Sequence, residues 1–267
     1  MKILNISKIE KAVYCNDVSI LKKIKKKNKF SRIYFGEEFC PFRLPTKEDL
    51  ESVIKYARKN KLQFTFVTPW LTDDALARVR GLLEVVPFGS EVVINDYGLL
   101  LALKREKNNF IPVLGRLLNG QIRGLRANYE RRLTKNILKN FQSCHPQIET
   151  LADFYKNNGI NRIELDNLPQ GIKTGFENKR FSGSLYYPYG YITVTRFCPY
   201  IILKNRFNLI FSIKKCNKTC LKSIFPMENK ETDRKIFVIG NSHFFKNNNI
   251  PKNLSELGID RLVEELF

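Results

Sequence analysis

No apolar run in the 267-residue chain approaches the ~20 residues needed to cross a bilayer, and stretches such as Gly98–Leu103 fall far short. The opening MKILNISKIEKAV mixes charged and apolar residues too early for an export signal, so a cytoplasmic location without membrane insertion is expected. Neither GxGxxG nor GxxxxGK[ST] occurs, which removes support for dinucleotide-binding and P-loop folds. No HExxH is present. His145 and His243 are the only histidines, and no Ser/His/Asp or Cys/His order stands out as a hydrolytic triad, so a peptidase is the weakest reading. No Pro- or Gly-rich linker divides the chain, and at this length one core can bury roughly 70–75% of the unfolded surface. A single domain over 1–267 is expected.

Acidic residues are scarce beside basic ones. There are 26 Asp and Glu against 46 Lys and Arg, a net charge of +20. Such a field attracts polyanions without saying anything about fold. RNA, an anionic small molecule, an acidic protein partner and a plain lysine-rich solvated surface all fit it. The densest run, Lys22, Lys23, Lys25, Lys26, Lys27 and Lys29, has no interleaved aromatic residues on which bases would stack.

What is present is alternation. Strand-like stretches occur at Lys2–Ser7, Arg32–Gly36, Leu62–Thr68, Glu91–Asn95, Phe110–Leu114, Arg162–Asp166, Tyr191–Thr195 and Ile236–Gly240. Between them, Thr46 caps a helix through Lys61 with Leu50, Val53, Ile54 and Ala57 at helical spacing, and Thr72 or Asp73 caps another. Arg126–Phe141 reads as a basic helix and His145–Asn158 as a further one, while Gly171–Tyr187 reads as an irregular loop. Eight strand signals alternating with helices predict an α/β fold of the TIM-barrel-like (β/α)8 kind in one domain.

Six cysteines without an export signal point to metal ligands or free thiols rather than disulfides. Cys40 and Cys198 each follow a predicted strand, and in a barrel such ends converge on the face that carries chemistry. Cys216 and Cys220 stand four residues apart and can face one point. Four thiols from three loops can therefore meet, around zinc, around an iron–sulfur cluster, or as unrelated buried residues. Lys214, Lys215, Lys218 and Lys222 flank the close pair and would stabilise thiolate charge. Cys15 and Cys144 read as structural.

The segments Ile33–Cys40, Asn95–Gly98, Tyr191–Cys198, Cys216–Cys220 and Phe237–Ser242 resemble, in order, blocks of the collagenase-like peptidase family U-32, most of all its UbiV-type iron–sulfur branch. The resemblance spans nearly the whole chain. It implies a barrel holding a 4Fe–4S cluster through Cys40, Cys198, Cys216 and Cys220 at the C-terminal mouth. It also implies an enzyme or enzyme subunit in oxygen-independent hydroxylation or related redox chemistry, a sister subunit as heterodimer partner, and a prephenate-like oxygen donor. An RNA-binding or scaffold partner carrying the cluster is the alternative. The sequence departs from the family where Phe197 separates Arg196 from Cys198, and at Tyr187-Pro188.

Arg116, Arg123, Arg126, Arg131 and Arg132 are the anion-binding candidates, with Arg116 at a strand end suited to clamp a carboxylate. Asn95 and Glu164, near strand ends, join Arg116 and Arg123 as expected substrate-binding residues; Asp166 is a further carboxylate there, and capping is the commoner duty for Asp96. Trp70 either walls the pocket or closes the barrel mouth.

Overall fold

The computed structural model describes residues 9–22, 24, 30–106, 109–123, 133–176, 180–195, 198–200, 216, 218–222, 224–228 and 235–266. Eight parallel strands close into a barrel: β1 (Glu10–Cys15), β2 (Arg32–Gly36), β3 (Gln63–Val67), β4 (Glu91–Ile94), β5 (Ile111–Leu114), β6 (Arg162–Asp166), β7 (Ser182–Tyr187) and β12 (Ile259–Glu265). Going round, the order is β1-β12-β7-β6-β5-β4-β3-β2. The fold is TIM-barrel-like. Among the described residues no helix is long and apolar enough to cross a membrane.

Strand pleating sorts each strand into two faces. In β2, Ile33 and Phe35 join the apolar shell under the helices, whereas Tyr34 packs with Ala12, Tyr14, Val67, Val93, Val113, Tyr186 and Val263 inside the barrel. Helix α1 (Lys47–Lys59) lays Leu50, Val53, Ile54 and Ala57 on that shell, and Thr46 accepts the Asp49 N–H at 3.1 Å to start it. Helices α2 (Asp73–Leu83) and α3 (Tyr97–Arg105) start from Thr72 and Asp96 in the same way. Asp96 takes the Gly98 and Leu99 N–H groups, so it caps. Helices α4 (Lys135–Phe141) and α5 (Glu149–Asn157) lie between β5 and β6.

The predicted strand count is met by a different set of segments. Tyr191–Thr195 and Ile236–Gly240 are not barrel strands: they fall in an antiparallel sheet of order β8-β11-β10-β9, made of β8 (Tyr189–Val194), β9 (Phe225–Met227), β10 (Ile236–Ile239) and β11 (Ser242–Lys246). The barrel instead takes β1, β7 and β12. Lys2–Ser7 lies outside the described residues. Strand β7 was hidden by its small residues: Gly183 sits between Ile259 and Leu165, where a Cβ would meet their side chains at 3.0 and 3.2 Å. Strand β12, IDRLVEE, is charged because this barrel is ionic at both ends. No helix separates β6 from β7 among the described residues. The small sheet, inserted between β7 and β12, covers the C-terminal mouth: Tyr191, Ile239 and Phe244 pack with Phe39 and Leu117 from the strand ends.

Candidate functional site

Glu37 and Glu38 follow β2, Arg116 follows β5, Asp166 ends β6 and Glu265 ends β12. Parallel strands bring all these ends to one face. There Arg116 is fully buried, its Nη2 at 2.5 Å from Glu38 and 2.8 Å from Glu265, and its Nη1 at 3.0 Å from Asp166. The guanidinium lies 3.9 Å from the centre of the Tyr186 ring. Arg123 holds the second Asp166 oxygen at 2.8 Å, donates to the Arg116 carbonyl and stacks on Tyr191. Tyr191 donates its backbone N–H to Asp166 and its hydroxyl to the Arg116 carbonyl. Arg116 therefore has protein carboxylates as partners, beneath a lid.

Glu38 Oε1 and Glu265 Oε2 are buried without a hydrogen-bond partner. Burial pushes the Glu265 carboxyl up to about 8, Asp166 and Glu38 adding to it and Arg116 pulling the other way. Deeper in the barrel, Glu164 accepts from the Tyr34 hydroxyl at 3.1 Å, and burial pushes it up to about 7. Asn95 stands at the neighbouring strand end, where it ties the Thr68 carbonyl and the Leu117 N–H together. Of the expected substrate-binding residues, Arg116 and Arg123 share one cluster, Glu164 sits below it and Asn95 beside it. Arg126, Arg131 and Arg132 lie outside the described residues, as do Lys23 and Lys25–Lys29 of the lysine run and Lys214 and Lys215.

The cysteines build a second feature at the rim. None of the six forms a disulfide. Cys40 precedes the 3-10 turn Pro41–Arg43, and Cys220 lies in another, Thr219–Lys222. Between Cys216 and Cys220, Lys218 adopts φ 55°, which turns its N–H onto the Cys216 sulfur at 3.4 Å. The Phe42 backbone N–H favours a Cys40 thiolate, against the effect of burial. Cys198 and Cys220 pack with Tyr200 and Val238. The charges of the four thiols act on one another: Cys216 on Cys40, and both Cys198 and Cys216 on Cys220. Burial, with Glu37 adding to it, pushes Cys40 up to about 12; burial likewise raises Cys220.

One hairpin turn gathers these segments. Gly240, between β10 and β11, has φ +64°, and a Cβ there would stand 3.3 Å from Arg43 Nη1 and 3.6 Å from Cys220 Sγ. Glycine serves both the left-handed backbone and the close approach. Next to it, Asn241 donates to the Phe39 carbonyl and to the Thr195 carbonyl, each at 2.8 Å. The chain before Cys40 and the chain before Cys198 are thus fastened to the turn that faces Cys220. Trp70 donates to the same Phe39 carbonyl at 3.0 Å. Among the described residues, no group of three or more His, Cys, Asp or Glu closes on a point tightly enough to hold a metal ion. Electrostatic action and shared neighbours link the four thiols, but they form no closed ligand set.

Cys15 and Cys144 sit elsewhere in the apolar shell. His243 is in the small sheet opposite Thr193, and burial lowers its pKa; His145 opens a 3-10 turn at the surface. Sequence reading passed over Glu37, Glu38, Arg43, Glu265 and Asn241. The first three were signalled by their place just past β2, around Cys40. Glu265 carried no signal, because its strand was not recognised.

No family model and no curated protein matches the chain. Among solved structures it is similar to the U32 peptidase Mk0906, with a TM-score of 0.47 and 11% identity over 100% of this chain and 96% of that one. It is also similar to a glycoside hydrolase family 18 N-acetylglucosaminidase from Paenibacillus barengoltzii, with a TM-score of 0.40 and 9% identity over 96% and 94%. A third likeness is to YKL-39, with a TM-score of 0.33 and 8% identity over 96% and 91%. At these levels none of the three carries an inference about this chain's chemistry.

Proposed function

We propose that the chain is an iron–sulfur protein in which Cys40, Cys198, Cys216 and Cys220 hold a 4Fe–4S cluster at the rim of the barrel mouth. It serves, alone or beside a sister subunit, in a redox reaction of the oxygen-independent hydroxylation kind. The observation that carries this reading is that thiols from three loops act electrostatically on one another, with the buried Arg43 acting on Cys40 and Cys220 and the Gly240 turn set against both Arg43 and Cys220. Ligands scattered over three loops with only one close pair favour a cluster over zinc.

Such a cluster supplies one-electron transfer when bound. The chain's own residues prepare for its charge. The Lys218 N–H points at the Cys216 sulfur, the Phe42 backbone N–H favours a Cys40 thiolate, Arg43 supplies a buried cation, and Tyr200 with Val238 keeps one side dry. An anionic substrate is the ligand class in keeping with the net charge of +20. Because Arg116 is engaged by three carboxylates, other cations would have to hold that substrate.

Anaerobic purification with iron, sulfide and zinc quantified beside a visible spectrum tests the proposal. About four irons and four sulfides per chain are expected. Alanine at any of the four positions should sharply lower the iron content, while Cys15→Ala and Cys144→Ala should not. Stoichiometric zinc without sulfide would sink the cluster.

A further inference from the structure

We infer that the buried pair Arg43–Glu37 sets the reduction potential of the centre held by these cysteines, Arg43 raising it and Glu37 holding it down. The inference rests on the cluster reading above and assigns two positioning residues to it. Arg43 is three residues past Cys40, on the turn whose backbone N–H returns to the Cys40 carbonyl at 3.0 Å. Arg78 fixes that turn by donating to the Pro41 carbonyl at 3.1 Å. The Arg43 side chain is buried, with Nε 3.1 Å from Glu37 Oε2. This contact is an ion pair and not an aligned hydrogen bond, since Nε lacks hydrogen-bond geometry to any partner.

The guanidinium and the Cys220 sulfur border the same small space, each within 3.6 Å of the point where a Gly240 Cβ would stand. The charge of Arg43 acts on both Cys40 and Cys220, which belong to different loops. Glu37 acts on the same two thiols with the opposite sign. It is itself held rigidly, accepting the Phe39 N–H at 3.1 Å and reached by Asn16 at 3.4 Å. Water has little access to either member, so neither charge is screened as it would be at the surface.

A 4Fe–4S core with four thiolates is a dianion when oxidised, and one electron from an external reductant makes it a trianion. A buried cation favours the more negative form, and a buried anion disfavours it. The two residues of one salt bridge should therefore shift the potential in opposite directions. A bridge with a merely structural role would not do this, because losing either half would disturb the same loop in the same way.

The test is a spectroelectrochemical titration, with dithionite as reductant, of the iron-loaded native chain and three variants. Arg43→Met should move the midpoint to more negative values and Glu37→Gln to more positive ones, while Arg43→Lys should stay near the native value. Movement in the same direction, or no movement, in cluster-loaded variants overturns the inference and leaves the cluster reading standing. A native chain without iron and sulfide overturns both. Should Arg43→Met fail to load, Glu37→Gln decides alone: a midpoint that stays put or turns more negative overturns the inference.

Discussion

At the lower end of the barrel Arg32, Arg162 and Arg261 meet Glu10, Glu91 and Asp260; at the mouth Arg116 and Arg123 meet Glu38, Asp166 and Glu265. Below, every oxygen of those three carboxylates has an arginine, although the nearby Glu164 Oε2 has no partner. Glu10 bridges Arg32 and Arg261, Glu91 takes the Arg261 fork, and Asp260 takes that of Arg162. Above, Glu38 Oε1 and Glu265 Oε2 have no hydrogen-bond partner, although the mouth is the more deeply buried of the two. A balanced, half-solvated layer is the ordinary way to close a barrel end. A dry layer that leaves carboxylate oxygens without partners is the costlier arrangement, of the kind that gathers at functional sites.

The two layers also differ in what they do to protons. Burial raises Glu10 and Glu91, but their arginines together outweigh it and hold both below the usual carboxylate range. Their contribution is present above the unfolded value of ~4.3 and is lost as pH falls. Glu164 and Glu265, raised to about 7 and about 8, behave in the opposite sense. Between pH ~4 and ~8 the fold binds more protons there than the unfolded chain does. That stability is whole below ~4.3 and fades as pH rises through 7 to 8.

The largest effect should come from Arg116→Met, which strands the buried Glu38 and Asp166 carboxylates and leaves Glu265 without its cation. Chemical denaturation should show a loss of about 3–5 kcal/mol, partly recovered by adding Glu265→Gln. Arg261→Met at the other end should lose roughly 2 kcal/mol, because Arg32 and Arg162 remain and Glu10 is a quarter exposed. Equal losses would break the contrast. Next comes pH: the unfolding free energy of the native chain from urea titration should fall between about pH 5 and pH 8.5, by roughly 3 kcal/mol for the Glu164 share. Glu265→Gln should flatten the upper part of that slope, and an unchanged slope would remove Glu265 as the proton holder.

A glycine pair sharpens the comparison on a smaller scale. Gly89, at the lower end, has φ +76° with open space around it, whereas Gly240 has φ +64° and crowded surroundings. Alanine should cost about 1 kcal/mol at Gly89 and about 2 kcal/mol at Gly240. On the proposed cluster reading, only the Gly240 variant should also lower bound iron, as read by metal analysis. The smallest effect belongs to neither end: Thr46→Ala should lose about 1 kcal/mol of helix capping and leave iron content and pH slope unchanged.

By itself the sequence determined the local structure. Helical apolar spacing and caps at Thr46 and Thr72, and runs such as RIYFG and QFTFV, are properties of short stretches, and they placed β2 to β6 and the helices between them. It also made the four cysteines candidates, since two are close in the chain and two follow strand-like stretches. It misplaced the closing strands. SGSLYY and IDRLVEE look unlike buried strands because their fitness depends on what faces them: a narrow gap beside Ile259 for Gly183, and buried arginines for Glu265. Tyr191–Thr195 and Ile236–Gly240 are strands by local preference, but which sheet a strand joins is set by long-range pairing that propensity does not encode. The same holds for the site. Arg116 reads as a free clamp until Glu38, Asp166 and Glu265 arrive from 50 to 149 residues away to occupy it. Arg43 reads as one basic residue among many until the Gly240 turn brings Cys220 against it. Ion pairs and cavities form between segments far apart in the chain, so only the closed barrel with its covering sheet decides them.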